Sequence, residues 1–168
     1  MHESVNNELI KWYNDNKDYI DQNKIVDIGS FDINGSVKNV IKHSIGFDIY
    51  KGKNVDVVIE PGVIPEEHMF KYGAATSISS FQFSPDSQVY KKQILDLLCD
   101  GGLLFLTMCG DKCKYSHTTS PNKYNFKDSV RYTKNELHDI FSPEFNIIEL
   151  YETMSDHHNL ILKAKKKC

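Results

Sequence analysis

The residues that could do chemistry gather in two places. The first is the loop Val26-Asp27-Ile28-Gly29-Ser30-Phe31-Asp32-Ile33-Asn34-Gly35-Ser36, with Asp48 nineteen residues beyond Gly29. Gly29 lets the chain turn without a Cβ in the way of an approaching ligand. A carboxylate at the end of the following strand can accept both hydroxyls of a ribose, and it repels a 2′-phosphate. The second place follows the apolar run LLFLTMCG, where Cys109, Asp111, Cys113, Tyr115 and His117 crowd together. His117 has the only side chain in the 111–131 segment whose ordinary pKa lies near neutrality, which makes it the candidate general base.

The first loop departs from the G-x-G-x-x-G pattern, since five residues separate Gly29 from Gly35. A pyrophosphate needs the close backbone approach that the extra glycines give, so NAD and FAD are disfavoured. A nucleoside without phosphate needs less. S-adenosylmethionine is such a ligand: ribose hydroxyls for an acid, adenine for apolar walls, and an amino-acid end for loop amides.

These residues need elements to hold them. KIVDIG, HSIGFDIY, VDVVIEP and AATSISSF read as strands, and LLFLTMCG is the most apolar strand of the chain. Val5, Leu9, Trp12, Tyr13 and Ile20 recur at helical spacing and predict an N-terminal helix covering a sheet face. NGSVKNVIK predicts a short helix, and residues 66–72 another. SPDSQVYKKQILDLLCDGG predicts a helix capped by Ser84 and closed at Gly101, with Val89, Ile94, Leu97 and Leu98 toward the sheet. TKNELHDIF carries a capping box, Thr133 with Glu136. FNIIELYE and HNLILKAK are spaced to pair as a hairpin, with His157 and His158 expected in its turn, away from the chemistry. The alternation gives an α/β fold: a doubly wound Rossmann-like sheet, mostly parallel, with an antiparallel C-terminal hairpin. Residues 1–168 are read as one domain: an N-terminal helix (1–20), a cofactor-binding core (21–110), an acceptor-side loop (111–132), and the final helix and hairpin (133–168).

IVDIGSFDINGSV followed by IGFDIYKGKNVDVVIEPGVIP resembles the class I, Rossmann-type S-adenosylmethionine-dependent methyltransferases. The likeness is nearest to the subset whose first loop reads acid-x-G-S-x-D-x-N-G-S, and it runs from about Asp21 to Lys165. It implies a strand order of 3-2-1-4-5-7-6. It also implies that Asp27, Gly29 and Ser30 line the methionine end of the cofactor, that Asp48 holds the ribose, and that Ile49 packs on the adenine. Glu60 falls where the family often has an adenine-side contact, although Glu60-Pro61-Gly62 departs from the usual acidic-then-small pattern. Ser79, Ser80 and Phe81 end the fourth strand, beside the reactive methyl.

Methyl transfer from a sulfonium is an in-line displacement, and positioning the nucleophile supplies much of the rate. A hydroxyl or ammonium acceptor would still profit from a base. His117 is the best placed, while His68 lies toward the adenine side. The N-P-P-Y and D-P-P-Y motifs of nucleic-acid amino-methyltransferases are missing, for the fourth strand ends Ser-Ser-Phe-Gln-Phe. No G-x-S-x-G elbow is present and no Tyr-x-x-x-Lys pair follows the fourth strand, which argues against a hydrolase and a short-chain dehydrogenase. Cys109-x3-Cys113-x3-His117 has ligand-like types but no fourth ligand, so no metal is expected. The expected activity is methyl transfer to a small-molecule or sugar-like acceptor; the alternative is a non-catalytic S-adenosylmethionine-binding partner or regulatory subunit.

Composition sets the outer bounds. Of 168 residues, 40% are hydrophobic and 26% charged, a globular profile, and the formal net charge of −3 argues against a broad grip on nucleic acid. No apolar run approaches the roughly 20 residues of a membrane span. The polar N-terminus is not a secretory signal, and four cysteines are too few and too clustered for a disulfide framework. A cytoplasmic location is therefore expected.

Overall fold

The computed structural model describes residues 1–32, 35–84, 86–113, 130–154 and 158–168. The apolar runs become strands β1 (Ile25–Ile28), β2 (Ile45–Asp48), β3 (Val57–Val58), β4 (Tyr72–Ile78), β5 (Leu98–Cys109), β6 (Phe145–Glu152) and β7 (Asn159–Lys166). They form one sheet in the order β3-β2-β1-β4-β5-β7-β6, the order implied by the family resemblance. Strands β1 to β5 run parallel, and β7 is antiparallel to both its neighbours. The chain winds outward from β1 in one direction and from β4 in the other, so the topological switch point lies where these two strands adjoin.

Helices cover both faces. Helices α1 (Glu3–Asp15) and α2 (Lys17–Gln22) lie on one side, where Leu9, Trp12 and Ile20 pack with Ile25, Phe105 and Ile161. Asn16 breaks the expected single helix at the point where its side-chain amide donates to the Trp12 carbonyl at 2.8 Å. Helices α3 (Ser87–Leu97) and α4 (Lys134–Phe141) lie on the other side, with Ile94, Leu97, Leu137 and Phe141 against Val26, Leu104 and Leu106. Fully burying one such aliphatic side chain is worth about 1.5–3 kcal/mol. The capping box of α4 forms as read, Thr133 with Glu136.

Several local expectations give way. NGSVKNVIK makes only a 3-10 turn, Val37–Asn39, because its Val, Asn and Ser content favours turns and extended chain over helix. Helix α3 is capped by Asp86, not Ser84: the Asp86 carboxylate accepts the N–H groups of Gln88 (2.8 Å) and Val89 (3.2 Å). Nor does α3 stop at Gly101. Leu98 already pairs with Tyr72, and Gly101, at φ +73°, lies where β5 fits extra residues against β4. The inward face of α3 is Tyr90, Ile94 and Leu97, leaving Val89 at 36% exposure.

Candidate active site at the carboxyl edge of the sheet

In an open α/β sheet, ligands bind beyond the carboxyl ends of the strands at the switch point. Here that place is the junction of Gly29, after β1, with Ser80, after β4. Gly29 has φ +79°, and the Ser80 hydroxyl donates to its carbonyl at 3.3 Å. Ser79 takes a left-handed φ of +55°, which turns the chain sharply away from β4 while its N–H still donates to the Thr107 carbonyl.

Asp48 closes β2 beside this junction. Its Oδ2 accepts the Phe31 N–H at 3.0 Å, and its Oδ1 accepts the Tyr50 N–H at 2.9 Å. Each carboxylate oxygen thereby keeps a lone pair for a further donor. Ile49, next in the chain, is 46% exposed and offers an apolar surface at the same edge. Glu60 follows β3; its carbonyl accepts Gln93 Nε2 at 3.2 Å, and its side chain is exposed.

Asp27 is buried in β1 and accepts a hydrogen bond from Thr76 Oγ1 at 2.8 Å. Burial pushes its carboxyl up to about 7, and the charge of Asp48 adds to the rise. A nearby cation would reverse that shift.

The structure gathers Asp27, Gly29, Ser30, Asp48, Ile49, Ser79 and Ser80 along one edge, with Glu60 at its β3 end. Two differ in aim from the sequence reading. Ser30 turns its hydroxyl toward Gly46 and away from the edge, buried and without a partner. Phe81 is fully buried, its ring centroid 5.3 to 5.5 Å from those of Tyr90, Tyr132 and Phe141. The loop amides are also committed: Gly29 and Ser30 N–H both donate to the Phe47 carbonyl, at 2.8 and 3.1 Å. His117 lies outside the described residues.

Tyr90 was not singled out in the sequence, yet it props this junction. Its phenol is 2.9 Å from Ser77 Oγ and donates to the Ile28 carbonyl at 3.3 Å. Burial and the nearby carboxylates of Asp27 and Asp48 push its pKa upward. The 90-94-97 spacing is the signal that marks it as inward-facing. His158 is a correction too. Its carbonyl accepts the Gly110 N–H at 2.9 Å, so it stands at the end of β5, with Nδ1 2.9 Å from Glu152. The hairpin turn lies at the carboxyl edge because β6 runs parallel to β5.

Among the described residues no group of three or more His, Cys, Asp or Glu side chains is arranged to hold a metal, and no helix is long and apolar enough to cross a membrane. Cys109 and Cys113 are buried together, and burial, followed by the neighbouring thiol, pushes Cys109 up to about 12.

No protein-family model and no curated protein matches the sequence. Solved structures do match. A 1,6-didemethyltoxoflavin-N1-methyltransferase of Burkholderia thailandensis, with 1,6-didemethyltoxoflavin and S-adenosylhomocysteine bound, is similar over 99% of this chain and 80% of its own (TM-score 0.71, 12% identity). A methyltransferase of Thermotoga maritima, a possible histamine N-methyltransferase, is similar over 98% of each chain (TM-score 0.63, 15% identity). An S-adenosylmethionine-dependent methyltransferase of Clostridium acetobutylicum is similar over 100% of this chain and 93% of its own (TM-score 0.66, 9% identity). With strand order and hairpin in agreement, the chain carries the Rossmann-like fold of the class I S-adenosylmethionine-dependent methyltransferases.

Proposed function

We propose that the protein is an S-adenosylmethionine-dependent methyltransferase acting on a small-molecule or sugar-like acceptor. The observation that carries this reading is Asp48, half-buried at the end of β2 beside the Gly29–Ser80 junction, with one lone pair left on each oxygen. A ribose diol suits that carboxylate, and the sequence from Gly29 to Gly35 lacks the G-x-G-x-x-G pattern of a pyrophosphate-binding turn.

The bound cofactor would supply an activated methyl group on sulfur. In this reading Asp48 holds the ribose and Ile49 packs on the adenine, with Glu60 farther along the same side. Gly29, having no side chain, lets Ser80 close against it and so joins the ends of β1 and β4 beneath the methionine end. Asp27, protonated or not near neutrality, becomes the carboxylate that answers the positive charge of that end. Loop amides cannot do the same for the methionine carboxylate, since they are spent on Phe47 and Asp48. Ser79 and Ser80 flank the reacting centre, Phe81 backs it from the core, and His117 is the proposed base. The Burkholderia and Thermotoga neighbours are named for small nitrogen-bearing acceptors, which favours a small molecule over a polymer. A cytosolic setting belongs to the same reading and agrees with four free thiols.

Calorimetry with S-adenosylhomocysteine, S-adenosylmethionine and NAD tests the cofactor, and methyl-labelled cofactor with an acceptor panel tests the reaction. Heat with NAD and none with the adenosyl ligands overturns the proposal. Binding without turnover on any acceptor would turn it into the partner-subunit alternative. For the base, His117→Ala should slow turnover by roughly 10²–10⁴-fold with cofactor affinity unchanged. Unchanged turnover removes His117 from the mechanism.

A further inference from the structure

Cys109 and Cys113 are two free thiols that the fold brings into contact. Cys109 ends β5, where its N–H donates to Gln82 Oε1 at 2.7 Å. The chain then turns back on itself, for the Cys113 N–H donates to the Gly110 carbonyl at 3.1 Å. A turn closed in this way keeps its two ends within about 7 Å. Across it the Cys109 thiol hydrogen-bonds to the Cys113 sulfur. Cys99 and Cys168 stand toward the opposite end of β5, where Leu103 pairs with Lys165, and reach neither thiol.

Buried thiols ordinarily pack as small apolar groups. This pair has polar company as well. The Gln82 side chain hydrogen-bonds to the Cys109 thiol, and the positive charge of Arg131 acts on it. Both favour negative charge on that sulfur and oppose the effect of burial. The surroundings of the turn are pinned on three sides. The Gly110 N–H donates to the His158 carbonyl at 2.9 Å, Tyr132 bridges to Gly110, and the Val130 N–H donates to the Gln82 carbonyl at 2.8 Å.

We propose that Cys109 and Cys113 are a redox latch: a small disulfide such as oxidised glutathione joins the two sulfurs, and a thiol reductant parts them again. Cys113 is the attacking sulfur, since it is the more exposed of the two, at 9% against 4%. It gives up its proton, bonds to one glutathione sulfur and expels the other as a thiolate, which takes up a proton. Cys109 then attacks the Cys113 sulfur of the mixed disulfide and expels the second glutathione, which carries away the Cys109 proton. Gln82 and Arg131 support the Cys109 sulfur while that proton leaves. Two protein thiols and one small disulfide thus become one protein disulfide and two small thiols. The bridge clamps the turn between Gly110 and Cys113. In the methyltransferase reading this turn leads into the acceptor-side segment, so a link from the latch to turnover rests on that reading. The thiol chemistry does not.

The test treats the native full-length chain with oxidised glutathione, alkylates the remaining thiols and maps the peptides. Trypsin cleaves after Lys92 and Lys112, so a Cys109–Cys113 bridge leaves peptide 93–112 joined to Cys113 with Cys99 alkylated. Two of the four thiols should be lost, and dithiothreitol should restore both. The Gly110 and Cys113 amides should exchange with solvent at least 10-fold more slowly in the bridged protein. Cys113→Ser should form no intramolecular bridge; should that variant fail to fold, the parent's peptide map decides. Glutathione adducts without the bridge, four thiols still free, or equal amide exchange in the two states each overturn the latch. Calorimetry with S-adenosylhomocysteine on the reduced protein judges the methyltransferase reading separately, and no binding there leaves the latch standing.

Discussion

The Ser80 side chain fills the space that a side chain on Gly29 would need: a Cβ built on Gly29 falls 1.9 Å from Ser80 Oγ and 2.3 Å from Ser80 Cβ. The ends of β1 and β4 are thus interlocked at the switch point, where the proposed cofactor site opens. Gly29→Ala combines a left-handed backbone with a clash and should cost about 2–5 kcal/mol of stability. Adding Ser80→Gly removes the clash but leaves the backbone strain, so the double variant should regain all but about 1–2 kcal/mol. Urea unfolding of the four proteins in this cycle checks it. Additive losses would show that the two residues do not share the space.

Asp48→Ala should reduce both stability and cofactor affinity. The Phe31 and Tyr50 amides lose their acceptor, at about 1–3 kcal/mol together. Two charge-assisted bonds to the ribose would vanish as well, each worth about 1.5–3 kcal/mol, so binding of S-adenosylhomocysteine should fall at least 100-fold. Calorimetry on variant protein shown to be folded separates the two effects. Parent-like binding would reduce Asp48 to a loop anchor.

Much of this was readable from residue types, for reasons that differ by element. The central strands and the Thr133 cap declare themselves locally, by continuous apolar runs and by an N-cap three residues before a glutamate. The loop acid Asp48 was legible because its distance from Gly29 is fixed by one strand-turn-strand unit. What stayed hidden depends on contacts distant in sequence. Asp86 outcompetes Ser84 for the cap because its carboxylate reaches two N–H groups. Tyr90 matters because of Ser77 and Ile28, which only the folded sheet brings to it. Gln82 reads as a turn residue until its amide is seen completing the β4–β5 ladder. His158 could be placed in a turn, but the edge on which that turn lies follows from β6 running parallel to β5.

Tyr90→Phe isolates the prop beneath the junction. The ring stays in its T-shaped contact with Phe81, while the bonds to Ser77 and the Ile28 carbonyl disappear. A loss of about 1–2 kcal/mol is expected. Ser77→Ala in the Tyr90→Phe background should then cost less than Ser77→Ala alone, because the shared bond is already gone. S-adenosylhomocysteine affinity should drop in Tyr90→Phe, since the phenol supports the strand that ends in Gly29. Unchanged stability and affinity would make Tyr90 packing alone.

Asp27 predicts a pH dependence with a definite sign. Its carboxyl is raised from an ordinary 3.8 to about 7 by burial, so the folded state holds a proton that the unfolded state releases. The stability this proton contributes is complete below the unfolded value and is lost as pH rises through the folded one. Between about pH 4 and 7 the loss runs to about 1.4 kcal/mol per pH unit. Asp27→Asn keeps an oxygen for the Thr76 hydroxyl and never ionises. Its stability advantage over the parent should therefore be small at pH 4, grow to pH 7 and level off above it. S-adenosylmethionine should act in the opposite direction: its positive charge favours the ionised carboxyl, so parent protein should release a proton on binding near pH 7, while Asp27→Asn should not. Calorimetry in buffers of different ionisation heat measures that proton, and equal release from both proteins would remove Asp27 from the cofactor's surroundings.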